Sequence, residues 1–320
     1  MKFIDFFAGI GGFRLGMEMT GHECVGHCEI DKFANESYVA MHNVKEGEWY
    51  ADDITRVKPG ELPEADCYCF GFPCQAFSIA GNRRGFEDTR GTLFFEVMRL
   101  AKERKPRILF AENVKGLLNH EGGRTFGIII STMDELGYDV EWQVLNSKDF
   151  GVPQNRERVF IIGHLRGTGS RKVFPIRDGS KEVDDLQRQE TGTITTRTGQ
   201  ASTVGTYIIE SKQHAQVKQI IGGSQGNRVY DPSGISVTLS SQGGGQGAKT
   251  GLYAIPNPKS DGNLEYYIRK LTPKECFRLQ GFSDEYFERA RAVNSDSQLY
   301  KQAGNSVTVN VIYEIARRLT

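Results

Sequence analysis

The amino-acid sequence predicts an α/β protein with a doubly wound, mostly parallel sheet and a second, smaller module rich in strands and loops. Apolar segments of strand length alternate with segments of helical periodicity over residues 1–165, and a glycine-rich loop follows the first apolar segment. After about residue 165 this alternation stops. Such alternation is typical of βαβ units, which form parallel sheets. Ligands of these sheets bind beyond the carboxyl ends of the strands.

Six strands and four helices account for most of the first half of the chain. Strands are predicted near residues 2–7, 23–28, 65–70, 108–111, 139–146 and 158–163. Helices are predicted to begin at residue 14 and to lie near residues 33–42, 92–104 and 124–136. Residues 306–318 are predicted to form a closing amphipathic helix. Its apolar side chains at helical spacing are Val307, Val311, Ile312 and Ile315.

The composition changes between residues 186 and 260. This stretch contains 12 glycines, seven Lys and Arg residues and three Asp and Glu residues, and it has no long segment of helical periodicity. These features are typical of short strands and loops. We therefore predict a larger domain of residues 1–185, completed by residues 302–320, and a smaller domain of residues 186–301.

Composition and cysteine content argue against several classes of protein. With 38% hydrophobic and 25% charged residues, the 320-residue chain has the composition of a soluble globular protein. No apolar run approaches the roughly 18 residues of a membrane span, and a signal peptide is not expected. The six cysteines form no Cys-x-x-Cys pair and no disulfide framework. We expect a cytoplasmic protein without a structural metal and without a membrane partner.

Charge is distributed unevenly along the chain. The formal net charge is zero, which by itself argues against nucleic-acid binding. Residues 1–165, however, carry 19 Lys and Arg against 25 Asp and Glu residues, a net of −6, so residues 166–320 carry +6. This asymmetry is consistent with a C-terminal half that faces a polyanion. An uneven but solvated surface explains the charge equally well.

A cysteine follows the predicted strand at residues 65–70, in a loop that proline constrains. The motif is Gly71-Phe72-Pro73-Cys74-Gln75. A thiol reacts as its thiolate, which is favoured by partial exposure and by nearby positive charge or a helix N-terminus. The place of Cys74 beyond a strand makes it a candidate nucleophile, although single loop cysteines also occur without a function.

The glycine-rich loop after the first strand departs from a dinucleotide-binding fingerprint. Gly9 and Gly11 match it, but Arg14 stands where a third glycine is expected, so a ligand without a pyrophosphate is favoured. Glu29 ends the second strand, where an acid binds ribose hydroxyls. Asp53 is a candidate for the adenine amino group. Together these features indicate S-adenosylmethionine, and a tight turn with unrelated acids is the alternative.

Six sequence blocks occur in an order that one family shares. The blocks are Phe7-Ala8-Gly9-Ile10-Gly11-Gly12, Gly71-Phe72-Pro73-Cys74-Gln75, Glu112-Asn113-Val114, Gln154-Asn155-Arg156-Glu157-Arg158, Gln280-Gly281-Phe282 and Gly304-Asn305-Ser306-Val307. From residue 2 to 315 the chain thereby resembles the DNA (cytosine-5)-methyltransferases of bacterial and phage restriction–modification systems. The resemblance implies a Rossmann-like class I S-adenosylmethionine-dependent fold and a smaller domain that recognises the target. It implies methylation of carbon 5 of a specific cytosine in a short duplex DNA sequence.

By this resemblance four residues are expected to carry the reaction. Cys74 adds to C6 of cytosine and forms a covalent intermediate, because carbon 5 unaided is too electron-poor to attack a methyl sulfonium. Glu112 relieves the negative charge at N3, and its place at the end of strand 108–111 predicts a raised pKa. Arg158 is expected near O2 and the acid, and Arg156 near the phosphate and the thiol. Two arginines on a solvated edge strand are the alternative.

The resemblance also assigns a pocket for S-adenosyl-L-methionine. Phe7 and Ile30 are expected on opposite sides of the adenine, and Gly11 near the methionine part. Ordinary core packing is an alternative role for Phe7 and Leu93. The expected cofactor-binding residues are Phe7, Ala8, Gly9, Ile10, Gly11, Glu29, Ile30, Asp53, Ile54, Pro73, Leu93, Asn305 and Ser306.

The target cytosine must rotate out of the duplex before Cys74 can reach it. The loop at residues 80–91 is expected to close over the flipped base. Gln225 resembles the residue that fills the vacated space, and Arg and Gln side chains suit guanine and adenine edges. The expected DNA-binding residues are Phe72, Gln75, Arg83, Arg84, Gln225, Arg228, Ser240, Gly243 and Gly244.

Three other functions are weighed against this one. An RNA cytosine-5 methyltransferase usually has a Cys-Phe-Thr insertion, which this sequence lacks. A nicotinamide-dependent oxidoreductase is disfavoured by the glycine loop, and an inactive DNA-binding relative by the intact set of Cys74, Glu112 and Arg158. We expect a monomer that binds double-stranded DNA, with a cognate restriction endonuclease acting on the same site. The sequence does not specify the bases of the target.

Overall fold

The computed structural model describes residues 1–73, 93–176, 192–194, 217–221, 228–230, 234–239, 252–256 and 266–319. The strands of the large sheet are β1 (Lys2–Phe6), β2 (Glu23–Cys28), β3 (Trp49–Ala51), β4 (Cys67–Gly71), β5 (Ile108–Val114), β6 (Tyr138–Asn146), β7 (Glu157–Leu165) and β8 (Gly192–Ile194). The helices are α1 (Gly12–Glu18), α2 (Lys32–Met41), α3 (Leu93–Arg104), α4 (Arg124–Glu135), α5 (Pro273–Leu279), α6 (Asp284–Arg291), α7 (Asp296–Asn305) and α8 (Val309–Ala316).

The large sheet has the strand order β3-β2-β1-β4-β5-β7-β6-β8. Strands β1 to β5 are parallel to one another, whereas β7 runs antiparallel to both β5 and β6, and β8 antiparallel to β6. The predicted doubly wound, mostly parallel sheet is confirmed, and most bounds differ from the predicted ones by only a few residues. Strand β3 has three residues, too few to give a periodicity signal, and was not among the predicted strands.

Apolar side chains and helices cover both faces of the large sheet. On one face Ile4 and Phe6 of β1 pack with side chains of α3 and α4. On the other face Phe3 and, from β4, Cys69 pack with side chains of α1 and α8. Because successive strand residues point to opposite faces, the apolar side chains of β1 and β4 serve both layers.

Helices α5, α6 and α7 pack together and share a hydrophobic cluster with Ile10, Leu15 and Met41 of the N-terminal half. The predicted domain boundary between residues 301 and 302 falls inside α7, which runs from Asp296 to Asn305. The division into two domains stays a prediction. Among the helices in the described ranges, none has both the length and the apolar character needed to cross a membrane.

A second sheet belongs to the C-terminal half. Its strands are β9 (Gln219–Ile221), β10 (Val229–Tyr230), β11 (Leu252–Pro256) and β12 (Tyr266–Arg269), in the order β12-β11-β10-β9. Between β10 and β11, residues 234–239 lie along the chain that precedes β7. The main-chain N–H of Asn155 donates to Ser236 O (2.8 Å), and Ser236 N–H donates to Pro153 O (2.7 Å). A short main-chain ladder therefore fastens this segment to the large sheet.

Candidate active site

The candidate functional residues collect at one edge of the large sheet. The glycine-rich loop follows β1, Glu29 follows β2 and Pro73 follows β4. Parallel strands end at a common edge, so the topology brings these residues together. Since β7 runs antiparallel to β5, its beginning lies at this edge as well. Arg156 and Arg158 thereby join residues that come from the ends of the parallel strands.

Glu112 lies inside β5, between two neighbouring strands. It is paired with Gly71 of β4 and with Phe160 of β7. The prediction that the strand ends at Ala111 is wrong, because the ladder with β7 continues to Val114. The backbone of Glu112 is consequently held on both sides, which fixes the direction of its side chain.

The carboxyl group of Glu112 is buried against an arginine. Its side chain is 11% exposed, and its Oε1 lies 3.0 Å from Nε of Arg158. Burial raises the pKa of Glu112 above its ordinary value, and the cations of Arg158 and Arg156 oppose this rise without cancelling it. The carboxyl group is thus shifted towards its protonated form, in the direction that the sequence predicts.

The chain leaves β4 beside Glu112 and leads to Cys74. A Cβ atom on Gly71 would lie 3.3 Å from Oε2 of Glu112, so glycine leaves room for the carboxyl group. The side-chain amide of Asn113 donates to Phe72 O (2.8 Å) and fixes the chain there. Cys74 itself lies outside the described residues.

The cysteines of the described residues are poor candidates for a nucleophile. All are buried, and they are Cys24, Cys28, Cys67, Cys69 and Cys276. Burial raises the pKa of Cys24, Cys28 and Cys276 to about 12. Buried thiols of this kind stay protonated and inert. In the ranges that the structure describes, no group of three His, Cys, Asp or Glu side chains is placed to hold a metal.

Arg156 contacts main-chain carbonyl groups. Its side chain is 2% exposed, and Nη2 donates to Gly304 O (3.0 Å) and Ser306 O (2.8 Å) while Nη1 donates to Leu239 O (3.3 Å). Burial and the Arg158 cation lower the pKa of the Arg156 guanidinium. The expected approach of Arg156 to a phosphate and to the thiol stays a prediction. In this structure Arg156 connects Gly304 and Ser306, at the end of α7, with Leu239.

The glycine-rich loop has a backbone that requires glycine. Gly9 and Gly11 have φ angles of 57° and 78°, a region that side chains disfavour. The N–H of Gly9 donates to Oε2 of Glu29 (2.7 Å), and a Cβ atom on Gly9 would meet no atom within 4 Å. Phe7 also has a positive φ of 55°, although it is not glycine. Such conformations cluster at ligand-binding sites.

Glu29 and Ile30 present a polar and an apolar surface side by side. Oε1 of Glu29 accepts from the N–H of Asp31 (2.7 Å), so each carboxylate oxygen accepts one main-chain hydrogen bond and keeps a second lone pair. Burial raises the pKa of Glu29. Ile30 is 73% exposed directly beside it. A buried acceptor next to an exposed apolar side chain fits a ribose that carries a flat base.

Asp53 and Ile54 have local structural roles. Oδ1 of Asp53 accepts from the N–H and the hydroxyl of Thr55 (3.0 and 2.7 Å), which caps the short helical turn that begins at Ile54. The side chain of Ile54 lies in the core. A cofactor contact from Ile54 therefore requires its main chain, and Asp53 has Oδ2 available as an acceptor near Arg56.

The remaining expected cofactor residues lie around the loop. A Cβ atom on Gly12 would lie 2.9 Å from Oγ of Ser306, so the segment after α7 touches the loop. Asn305 is exposed at the end of α7, whereas Ile10 buries its side chain in the cluster of α5–α7. Leu93 begins α3 and packs against the core. Ala8 is buried and Pro73 is exposed.

The expected DNA-binding residues lie mostly outside the described part of the chain. Phe72 is buried, with its ring centroid 5.3 Å from that of Phe94. A DNA contact by its side chain is therefore not supported, because burial of the apolar ring is the more favourable state. Arg228 is exposed just before β10. The residues outside the described ranges are Cys74, Gln75, Arg83, Arg84, Gln225, Ser240, Gly243 and Gly244.

Two buried polar side chains were not assigned a role from the sequence. Gln154 accepts from Leu239 N–H (3.1 Å) and donates to Leu279 O (2.8 Å). His42 places Nε2 3.0 Å from Ile10 O. Gln154 opens one of the sequence blocks, which is a signal that could have identified it. His42 is a single histidine at the end of a helix and gives no signal in the sequence.

Comparison with known proteins shows which proteins the chain is similar to. The whole chain, residues 1–320, matches a family model described as C-5 cytosine-specific DNA methylase. The chain is 41% identical over 323 residues to the type II methyltransferase M.HhaI of Haemophilus parahaemolyticus, covering 99% of this chain and 93% of that protein. It is 39% identical over 328 residues to the type II methyltransferase M.HpaII of Haemophilus parainfluenzae, with 99% and 88% covered. It is 31% identical over 427 residues to the orphan methyltransferase M.SPRI of Bacillus phage SPR, with 100% and 97% covered.

Solved structures agree with the fold. The structure of the Dnmt2 methyltransferase of S. pombe aligns with a TM-score of 0.67 at 16% identity, covering 98% of this chain and 96% of that one. The methyltransferase EhMeth of Entamoeba histolytica aligns with a TM-score of 0.65 at 20% identity, covering 100% and 97%. At these identities the likeness shows the fold alone. It confirms the Rossmann-like methyltransferase sheet that the sequence predicts.

Proposed function

Because the chain belongs to the family of C-5 cytosine-specific DNA methylases, we propose that residues at this edge of the sheet methylate carbon 5 of a specific cytosine in a short duplex DNA sequence. S-adenosyl-L-methionine is the methyl donor of this family. The observation that best supports the residue assignment is the buried pair of Glu112 and Arg158, at 3.0 Å, beside the chain that leads to Cys74. Cys74 is the nucleophile, Glu112 the acid and Arg158 its orienting partner.

The reaction needs a nucleophile because carbon 5 of cytosine does not attack a methyl group unaided. The thiolate of Cys74 forms a bond to C6, and the electron pair of the C5–C6 double bond moves into the ring. When bound, the sulfonium cofactor would supply an electrophilic methyl group: carbon 5 would bond to the methyl carbon while the sulfur–methyl bond breaks, and the sulfur would keep that electron pair. A base removes the proton from carbon 5, the double bond forms again, and Cys74 leaves as a thiolate.

Glu112 stabilises the ring after the thiolate has added. Addition at C6 places negative charge on N3, and a protonated carboxyl group donates a hydrogen bond or a proton to that atom. Burial keeps a larger fraction of Glu112 protonated than an exposed glutamate has. Arg158 holds the carboxyl group in place through Oε1 and, being permanently charged, suits O2 of the base.

The glycine-rich loop and the residues after β2 fit the cofactor because they offer hydrogen-bond acceptors, an exposed apolar surface and open space. Glu29 offers its remaining lone pairs to the ribose hydroxyls, and Ile30 offers an exposed apolar face to the adenine. The open space next to Gly9 allows a ligand to approach the backbone closely. Ser306, whose Oγ lies next to Gly12, and its neighbour Asn305 are candidates to complete the pocket.

The substrate must reach this site as an extruded nucleotide, because ring atoms within a duplex are covered by their neighbours. Arg228 and the segment that follows Leu239 are the candidate recognition residues of the C-terminal half. We propose a monomer as the active form, since one chain supplies all the assigned residues. A cognate restriction endonuclease for the same site stays a prediction, since the relatives include both type II and orphan methyltransferases.

Substitution of Cys74 tests the proposal directly. Bisulfite sequencing of a plasmid from cells that express the chain first identifies the methylated sequence. We then expect Cys74→Ser to lose methyl transfer to that sequence and to keep DNA binding. On an oligonucleotide with 5-fluorocytosine at the target, the wild-type protein should form a covalent adduct and Cys74→Ser should not.

Cys67→Ala is the matched control, because Cys67 is a buried thiol of the strand that leads to Cys74. This variant should form the adduct as the wild type does. Folded wild-type protein that leaves plasmid DNA unmethylated, or that methylates transfer RNA instead, contradicts the proposal.

A further inference from the structure

The ring of His42 lies directly beneath the glycine-rich loop. His42 follows α2, is 4% exposed, and places Nε2 3.0 Å from the main-chain oxygen of Ile10. A Cβ atom on Gly11 would lie 2.1 Å from the same nitrogen. The ring therefore occupies the volume that the absent side chain of Gly11 leaves.

The contact defines the tautomer of the ring. A carbonyl oxygen only accepts hydrogen bonds, so Nε2 carries the proton and donates it to Ile10 O. Nδ1 of His42 is buried and has no hydrogen-bond partner among the described residues. Burial lowers the pKa of His42 to about 4, so the ring is neutral at the pH at which such enzymes work.

His42 is itself held in place from two sides. Its ring centroid lies 4.9 Å from that of Tyr38 in α2 and 5.5 Å from that of Tyr286 in α6. Arg289 of α6 donates to Met41 O (3.0 Å), the residue before His42. The position of the ring is thus set by packed elements outside the loop.

The loop is held by hydrogen bonds to residues outside it. Ala8 N–H donates to Cys28 O (3.1 Å), Gly9 N–H donates to Glu29, and Ile10 O accepts from His42. Gly9 and Gly11, on either side of Ile10, have φ angles of 57° and 78°, and glycine has more conformational freedom in solution than any other residue. Fixing such a loop before a ligand arrives removes part of the entropy loss of binding.

We propose that His42 is a positioning residue for cofactor binding, which holds the carbonyl group of Ile10 and so keeps the glycine-rich loop in its binding conformation. This inference rests on the proposed function, since it assigns S-adenosylmethionine to the loop. His42 touches no reacting atom, and its effect falls on cofactor affinity and leaves the chemical step unchanged.

His42→Phe and His42→Gln separate the hydrogen bond from the volume of the ring. Phenylalanine keeps an aromatic ring but has no donor, whereas glutamine keeps a side-chain N–H near the position of Nε2. Titration calorimetry with S-adenosylmethionine and S-adenosylhomocysteine should show about tenfold weaker binding for His42→Phe, the scale of one lost buried hydrogen bond. His42→Gln should recover most of the affinity. The kcat at saturating cofactor should match the wild type in both.

His22→Phe is the matched control. His22 is also buried, and its Nε2 also lies near a main-chain oxygen, that of Ala316 at 3.2 Å, in contact with α8 and away from the loop. This variant should lose thermal stability as His42→Phe does and bind the cofactor as the wild type does. If His42→Phe does not fold, we use His42→Asn instead. The asparagine side chain is too short for its amide to reach Ile10 O, so the same results are expected of it.

Wild-type affinity in the donor-free variant, or equal weakening in His22→Phe, overturns the inference. A lower kcat with unchanged cofactor affinity overturns it as well. Failure of the wild-type protein to bind S-adenosylmethionine would instead contradict the proposed function, so the two failures are distinguishable.

Discussion

Glu112 is the residue whose chemistry depends most on its surroundings. It combines burial, which favours the neutral acid, with an arginine at 3.0 Å, which favours the carboxylate. Burial is the larger effect, so the pKa is raised. A carboxyl group whose pKa is raised in this way keeps a larger protonated fraction and can give up its proton when N3 becomes basic.

Glu112→Gln removes the proton donor and keeps the shape. We expect methyl transfer to slow by about 10²- to 10⁴-fold, the usual contribution of an acid catalyst. Single-turnover methylation of the identified target measures this. Cofactor and DNA affinities should remain within a few-fold of the wild type, and a near-normal rate contradicts the assigned role.

The pH profile supplies an independent readout of Glu112. Its protonated fraction falls as the pH rises through its raised pKa, whereas the thiolate fraction of Cys74 grows with pH. The wild-type kcat/KM should therefore pass through a maximum. In Glu112→Gln the descending part should disappear, leaving a rise to a plateau. If kcat/KM still falls at high pH in Glu112→Gln, then the fall arises from the titration of another group.

Local sequence signals and the family resemblance named candidate residues of the site but not the contacts that hold them. The acid and the thiol motif stand out because their residue types and neighbours are distinctive. The contacts of Arg156 with Gly304 and Ser306, and of His42 with Ile10, join residues far apart in the chain. Such contacts follow from packing, which no local pattern encodes.

Most elements of the N-terminal half were predictable because they have a clear period, and the three-residue strand β3 is an exception. Helix α5 was not predicted, although its beginning carries a readable signal: Thr272 accepts from the N–H of Glu275, and Glu275 accepts from Thr272 N–H, with Pro273 between them. The antiparallel direction of β7 could not be read from its composition. Yet that direction brings Arg156 and Arg158 to the site.

Two glycines in helices should respond oppositely to alanine. In α4 a Cβ atom on Gly127 would meet no atom within 4 Å, so Gly127→Ala should stabilise the protein by about 0.5–1 kcal/mol. In α1 a Cβ atom on Gly16 would lie 2.6 Å from Cβ of Ile312 in α8. Gly16→Ala should therefore destabilise it by about 1–3 kcal/mol, as overpacking does.

Thermal unfolding measures both effects on one protein. The melting temperature should rise by about 1–3 °C in Gly127→Ala and fall in Gly16→Ala. Each variant serves as the control for the other, because both exchange the same residue types in a helix. A stable Gly16→Ala would mean that α1 and α8 can separate without loss, contrary to their close packing.

At the scale of the whole molecule, main-chain hydrogen bonds between residues 234–239 and the chain that precedes β7 connect the two halves. We call these hydrogen bonds the docking ladder. Residues 234–239 bind to residues 153–156 through the main chain, and Gln154 and Arg156 both contact Leu239. The chain that follows Leu239 therefore starts from a point fixed by the catalytic half. Residues 166–320, which include the candidate recognition residues, carry a net charge of +6 against −6 in residues 1–165.

This connection predicts how target specificity can be exchanged. A chimaera in which residues 186–233 and 240–260 come from a relative with another target, while residues 234–239 are kept, should methylate the relative's sequence, because the docking contacts remain and the candidate base contacts change. A second chimaera that also replaces residues 234–239 serves as the comparison. It should lose activity on either sequence unless the incoming segment preserves the contacts with Gln154 and Arg156. Bisulfite sequencing of plasmid DNA reports both outcomes. If the first chimaera keeps the original target, then the residues that read the bases lie outside 186–260, and the ladder serves stability alone.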